Sequence, residues 1–412
     1  MMGPASAVEV DGVWQSPRTL PRRWLLCALA ISTGFAILVA VFSTNDLHRF
    51  WGTAAACGYG AATACVLIWK SSRGPDLAVL LALCGALLAP LAWMAVTNQQ
   101  QPEVSVVARS AELLIHHGTP FEPDTALTST TDPNAYDPYL PVMAVFGLPE
   151  ALFGHNVLTD PRVWFGICFV AVFWLSMRFG RARDPLRWTF LVAGSPVIAF
   201  ELAVGGTDVP MVAFLCLGFA LLWDKRLFWA AGLALGIGAA MKATAWPGAV
   251  IAFVFIAATA GWRAAWRFAG VVAAVLVVCV GPFLVRDAKS LVVNTIEFPL
   301  GLTHVISAAA SPLPGHLVAQ TGHIGHEVVV GLLVAMVLAI GVSLLVRPPR
   351  TVLSATVRLV VTLTLMFLIA PSTRFGYFIY PGTLLIWVLV CQAGRSPGQA
   401  PCPSKEPELE AF

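Results

Sequence analysis

Three residues at the ends of apolar runs carry the chemistry this sequence can offer: Glu103, Asp208 and Lys242. Glu103 follows Pro102 at the head of PEVSVVARSAELLIHH. Proline suits the first turn of a helix, so Glu103 stands where it either complements the helix dipole or takes a proton as a general base. Asp208, in GGTDVP, follows two glycines that allow a tight turn or the close approach of another backbone. It either caps the next helix or faces a ligand. Lys242 ends the run GLALGIGAAMK and either snorkels to an interface or binds a phosphate as a point charge. Arg286, Lys289 and Arg374 stand at comparable depth in other runs. Four such cations at the ends of different apolar segments point to a phosphate-bearing ligand. Glu201 lies about a turn inside its run, and a structural role for it requires a cation. In DPNAYDPYLP the prolines force turns, and Asp137 there either anchors the turn or touches substrate. His304, His316, His323 and His326 lack a clear third and fourth ligand with Glu327, so no metal site is assigned. No cofactor-binding signature is present either.

The elements that must position these groups follow from composition. Hydrophobic residues make up 58% of the chain and charged residues 11%, against about 25% charged in a soluble domain. A chain this apolar belongs in a bilayer. A net charge of +3 gives a nucleic-acid partner no electrostatic support. The nine cysteines show no CxxC spacing and read as small core hydrophobes. Arg22–Arg23 leads into an apolar run of full spanning length without a cleavage site, which predicts an anchor and not a cleaved signal.

Twelve runs of spanning character are predicted, at about 24–43, 51–69, 77–97, 162–179, 188–204, 208–223, 227–243, 246–261, 266–285, 327–346, 352–371 and 377–393. With the N-terminus inside, seventeen Lys and Arg fall on the cytoplasmic side and seven outside, with Arg358 within a helix. That bias sets the orientation, with both termini cytoplasmic in a cell-membrane protein. It also resolves residues 139–154, which are apolar but interrupted by Pro141, Pro149 and Glu150. A crossing there would force the Arg178–Arg187 cluster outside, so the segment is predicted to lie in the outer interface. Two long outer loops result, at about 98–161 and 287–326. The expected organisation is a tail over 1–23, an N-terminal hairpin over 24–74, a main transmembrane unit over 75–393 and a disordered tail over 394–412. A glycosyl-transfer enzyme and a transporter or flippase for an anionic substrate both fit such a bundle. The bunching of charge near one face and the lack of an evident repeat tell against the transporter.

The runs PEVSVVARSAELLIHHGTPFEP, YDPYLPVMAVFGLP, GGTDVPMVAFLCLGFALLW and WAAGLALGIGAAMKATAWPGAVIAF resemble the family-87 polyprenyl-phosphate-sugar glycosyltransferases of the membrane-embedded GT-C superfamily. The resemblance covers roughly residues 75–390. It implies an all-helical transmembrane bundle with long non-cytoplasmic loops, a polyprenyl-phosphate donor of mannose or arabinose type, and a glycan or glycolipid acceptor. It implies inverting transfer with a carboxylate base in the first long loop, at Glu103 here, where the family usually has Asp. Asp137 and Asp208 would then position donor or acceptor, and Lys242, Arg286 and Arg374 would hold the phosphate. The hairpin over 24–74 is an addition to the family pattern.

Overall fold

The computed structural model describes residues 21–69 and 73–394. The predicted tails fall outside them, apart from residues 21–23 and 394. Among the described residues the chain is helical, and its only extended pairing is an isolated bridge between Ala310 and Thr373. By length and composition, nine helices among the described residues could cross a membrane, or ten if one bent pair counts as a span.

The helices that frame the site are α1 (Arg22–Phe42), α2 (Asp46–Ile68), α3 (Gly74–Val96), α4 (Pro102–His117), α5 (Pro161–Phe179), α6 (Pro185–Ala193), α7 (Pro196–Val204), α8 (Asp208–Leu221) and α9 (Phe228–Met241). They continue through α10 (Trp246–Ala260), α11 (Trp262–Cys279), α12 (Gly281–Val292), α13 (His323–Val346), α14 (Val352–Ile369) and α15 (Ile379–Gly394). The predicted span 188–204 is broken: α6 and α7 meet at 59° across Gly194–Ser195. Pro196 opens α7, and a proline interrupts the helix ladder while suiting a new first turn. The predicted span 266–285 divides in the same way, with α11 ending at Cys279 and α12 beginning just before Pro282.

One continuous apolar core runs through the bundle. At its centre is α8, buried on every side except at Phe214, as expected of a helix that is apolar all round. Gly232 and Gly236 of α9 let it approach α11 closely: a Cβ at Gly232 would lie 3.0 Å from the Phe268 carbonyl, and one at Gly236 2.9 Å from Val275. The N-terminal hairpin joins this core. The Trp51 indole donates to the Ala86 carbonyl at 2.8 Å, the Tyr59 hydroxyl donates to the Gly194 carbonyl at 2.8 Å, and the Trp51 ring packs on Phe200 of α7.

Residues 139–154 form a 3-10 turn and a short helix, Pro141–Phe153. It is about 20 Å long by helix rise, too short for a hydrocarbon core of about 30 Å. Gly147 lets it lie against α4, where a Cβ would lie 2.4 Å from the Val107 carbonyl. The two long loops dock on each other. Tyr136 stacks on Phe298 with ring centroids 4.4 Å apart, and the Asp137 amide donates to Asn294 Oδ1 at 2.7 Å.

Candidate active site

Four chain segments converge at the end of the bundle that carries the long loops: the head of α4, the α7–α8 turn, the end of α9 and residues 373–380. Glu103 occupies the first turn of α4, whose buried face is Val104, Val106, Val107, Ser110 and Ala111. Its Oε1 accepts from Arg374 Nη1 at 2.8 Å. Its Oε2 is buried and has no hydrogen-bond partner among the described residues. Such an orphaned acceptor is uncommon in a folded interior.

Arg374 is fixed by the second long loop. The Thr373 amide donates to the Ala309 carbonyl at 2.8 Å, the Ser311 amide donates to the Thr373 carbonyl at 2.9 Å, and the Phe375 amide donates to Ser311 Oγ at 3.1 Å. These bonds hold an otherwise irregular segment extended, with Arg374 aimed at α4.

Asp208 opens α8 but does not cap it. The cap position is Thr207, and no side chain bonds there. The carboxylate instead turns sideways, and its Oδ1 accepts from Lys242 Nζ and from the Tyr380 hydroxyl, both at 2.5 Å. Lys242 stands in extended backbone just past α9. Its ammonium lies 5.3 Å from the centre of the Tyr139 ring and 4.9 Å from that of Tyr377, an aromatic cage of cation–π type. Tyr139 closes the cage, with its hydroxyl 3.2 Å from Thr207 Oγ1. Burial, then the charges of Glu103 and Asp208, push the Tyr139 phenol well above its ordinary range, so it stays protonated.

The predicted close approach at Gly205–Gly206 is present. A Cβ at Gly205 would lie 2.8 Å from Gln101 Oε1 and 3.1 Å from Glu103 Oε1, while Gly206 takes a φ of 86°. A buried ion pair braces this turn. Arg162 grips Asp160 through two bonds of 2.9 and 2.7 Å, and its Nη1 donates to the carbonyls of Gln99 and Ala203. It therefore ties the approach to α4 and the end of α7 to the start of α5. The hairpin contributes His48, whose Nε2 lies 2.6 Å from Gln101 Nε2.

Asp137 and Arg286 stand apart from this cluster. Asp137 accepts from Ser110 Oγ at 2.6 Å and from the Tyr139 amide at 2.9 Å, about two turns along α4 from Glu103. Burial pushes its carboxyl up to about 7, against the opposing pull of those two bonds and of Arg109. It anchors a turn in the way its proline-rich context suggests. Arg286 donates to the His117 carbonyl at 2.7 Å and lies over Gly118, at the opposite end of α4 and about 21 Å along the helix axis from Glu103 by the 1.5 Å rise. It borders an open depression of about 750 Å³ with His116, His117, Thr119 and Asp287.

The loop histidines meet backbone and neighbours. His316 Nδ1 lies 2.7 Å from the Pro371 carbonyl, His326 Nε2 lies 3.0 Å from the Leu300 carbonyl, and His304 Nε2 lies 2.9 Å from the Thr130 carbonyl.

Sequence reasoning missed Tyr377, Tyr380, His48, Gln101 and the Asp160–Arg162 brace. Tyrosines and a histidine at the ends of apolar runs read as interfacial residues. The signal that could have marked the brace is DPR at the head of an apolar run, an acid in cap position followed by a cation with no other reason to be there.

A model of glycosyltransferase family 87 matches residues 138–371. The matched stretch holds Glu201, Asp208, Lys242 and Arg286, while Glu103 precedes it and Arg374 follows it. No curated protein matches the chain. Among solved structures, ArnT from Cupriavidus metallidurans in the apo state is similar, with 17% identity and a TM-score of 0.47, over 77% of this chain and 58% of that one. This chain therefore spans less than two thirds of that protein's length. Because the family model covers more than half of the sequence, the chain belongs to glycosyltransferase family 87.

Proposed function

We propose that this membrane glycosyltransferase moves a sugar of mannose or arabinose class from a polyprenyl phosphate to a glycan or glycolipid hydroxyl, with inversion and with Glu103 as the base. The observation that supports this most is the state of the Glu103 carboxylate. Arg374 fixes one oxygen, and the other is buried and unpartnered. An incoming hydroxyl that donates to Oε2 would satisfy the orphan and stand in position to lose its proton. As the acceptor oxygen bonds to the anomeric carbon, the bond from that carbon to the phosphate oxygen breaks. The proton passes to Glu103, and the electron pair leaves with the lipid phosphate.

The leaving phosphate gains negative charge, which fixed cations stabilise when they are already in place. Lys242 and Arg374 are the two cations of the cluster, and each is held by a carboxylate. A phosphate arriving between them would compete with Asp208 and Glu103 for these partners. That exchange frees the base as the donor binds and couples the two substrates. Arg286 stands too far along α4 to share the same phosphate and falls to the loop surface in this reading.

The test is transfer of radiolabelled sugar in membranes from polyprenyl-phosphate mannose and polyprenyl-phosphate arabinose. Lys242→Ala is expected to lose at least 100-fold in turnover, on the scale of removing one fixed transition-state charge. Unchanged turnover would remove Lys242 from the phosphate site.

A further inference from the structure

Glu201 is the acidic group that the mechanism above leaves unused. The cluster holds three carboxylates, Glu103, Glu201 and Asp208, and two cations, Arg374 and Lys242, all within electrostatic reach of one another. Arg374 pairs with Glu103 and Lys242 with Asp208. No hydrogen bond or ion pair reaches the Glu201 carboxylate among the described residues. It is half-buried on α7, so a side chain made only for packing would be apolar at this depth.

Its place is made by one residue of another segment. A Cβ built on Gly376 would lie 2.5 Å from Glu201 Oε1 and 3.0 Å from Oε2. Only the missing side chain of Gly376 lets the carboxylate lie against that backbone. Gly376 is two residues past Arg374 and one before Tyr377, so the same short segment supplies the notch, the Glu103 partner and one wall of the lysine cage. Glu103 uses a second notch of the same kind, at Gly205.

We infer that Glu201 is a sugar-binding carboxylate: its two oxygens accept hydrogen bonds from ring hydroxyls of the transferred sugar and so set which sugar is accepted. This deepens the proposed function and rests on it. The chemistry fits the charge balance. The cations are already matched, so the third carboxylate is not needed for a phosphate. A carboxyl group whose two oxygens meet no protein partner can form hydrogen bonds with two neighbouring hydroxyls. Glu201 takes no proton in the reaction; Glu103 does.

Two readouts test it in the full-length protein: thermal unfolding in detergent and sugar transfer with the two donors above. Glu201→Gln replaces one carboxyl oxygen with an amide donor and keeps the shape. It is expected to leave the unfolding temperature unchanged or raised, while kcat/KM falls about 10- to 100-fold and the ratio between the two donors changes. Gly376→Ala keeps the Glu201 carboxyl group but pushes it aside, and it is expected to reproduce the change in donor ratio. A Glu201→Gln protein that unfolds several degrees lower, with an unchanged donor ratio, would overturn the inference and make Glu201 a structural partner. If the wild-type protein transfers neither sugar, the proposed function fails, and the unfolding measurement alone decides whether Glu201 is held at a cost.

Discussion

The two ends of helix α4 carry charged groups of opposite character. At the Glu103 end, charges are buried, matched in pairs and fitted against glycines, and four chain segments meet. At the His117 end, Arg286 is exposed, has no ion-pair partner among the described residues, and borders an open depression. The sequence makes the two ends look alike, since each offers a titratable residue beside a proline or glycine. What separates them is desolvation. A charge in a low-dielectric interior must have a partner and acts strongly on whatever enters, whereas an exposed charge is screened and contributes little.

Breaking the buried end should have the largest effect. Arg162→Met leaves Asp160 buried without its cation, and removing one partner of such a pair costs about 3–5 kcal/mol. It also unties the approach to α4 from the end of α7. We expect the detergent-solubilised protein to unfold well below the wild type and to transfer no sugar even at temperatures where it remains folded. A wild-type melting curve would show that the brace contributes nothing to the site.

Gly205→Ala tests the same end without removing a charge. The new Cβ would meet the ends of the flexible Gln101 and Glu103 side chains, which can shift, so stability should fall by only about 1 kcal/mol. Turnover should fall about tenfold or more, because the base moves away from its working position. Equal turnover would mean that the Glu103 carboxylate need not sit where the structure holds it.

A pH series distinguishes the middle of the helix from both ends. The Asp137 carboxyl is pushed up to about 7 from 3.8. Below the lower value both the folded and unfolded chains hold the proton, and the residue has no effect. As pH rises from 3.8 towards 7 the unfolded chain gives up the proton and the folded chain keeps it, so stability falls with pH and levels off above 7. The total is on the order of a few kcal/mol, at 1.36 kcal/mol per unit. Thermal stability should therefore decline between about pH 4 and 7 and be level above that, and Asp137→Asn should flatten that decline. A wild-type slope in the Asn variant would place the pH dependence elsewhere.

The smallest effect belongs to the exposed end. Arg286→Ala removes a screened charge and one bond to a backbone carbonyl. We expect a stability change below about 1 kcal/mol and transfer within about threefold of wild type. A hundredfold loss would return Arg286 to the phosphate site and would require the two ends of α4 to act on one substrate.

Much of this contrast was legible before the fold. The proline–glutamate head of α4, the paired glycines at 205–206 and the lysine ending α9 each follow local rules of helix starts, turns and ends, and local rules are what a sequence displays. The twofold reading of Asp208, cap or ligand, could not be resolved that way, because the choice rests on Lys242 and Tyr380 arriving from other helices. Arg286 was grouped with Lys242 and Arg374 because all three share a depth in the membrane. Depth fixes one coordinate, and lateral position depends on the length of α4 and the packing of the loops. The 59° bend at Gly194–Ser195 was hidden within an apolar run of spanning length, although Pro196 marked its place. The notch at Gly376 was invisible for the same reason as the tyrosine cage: it is a relation between residues more than a hundred positions apart.

Glu103 as the base is the claim on which the rest depends, and turnover of Glu103→Gln measures it most directly. Glutamine preserves the shape and an acceptor oxygen but cannot take the proton. The variant is expected to fold, to bind the polyprenyl-phosphate sugar and to transfer it at least a hundredfold more slowly. Turnover at the wild-type rate would contradict this role and leave Asp208 or Glu201 as the base.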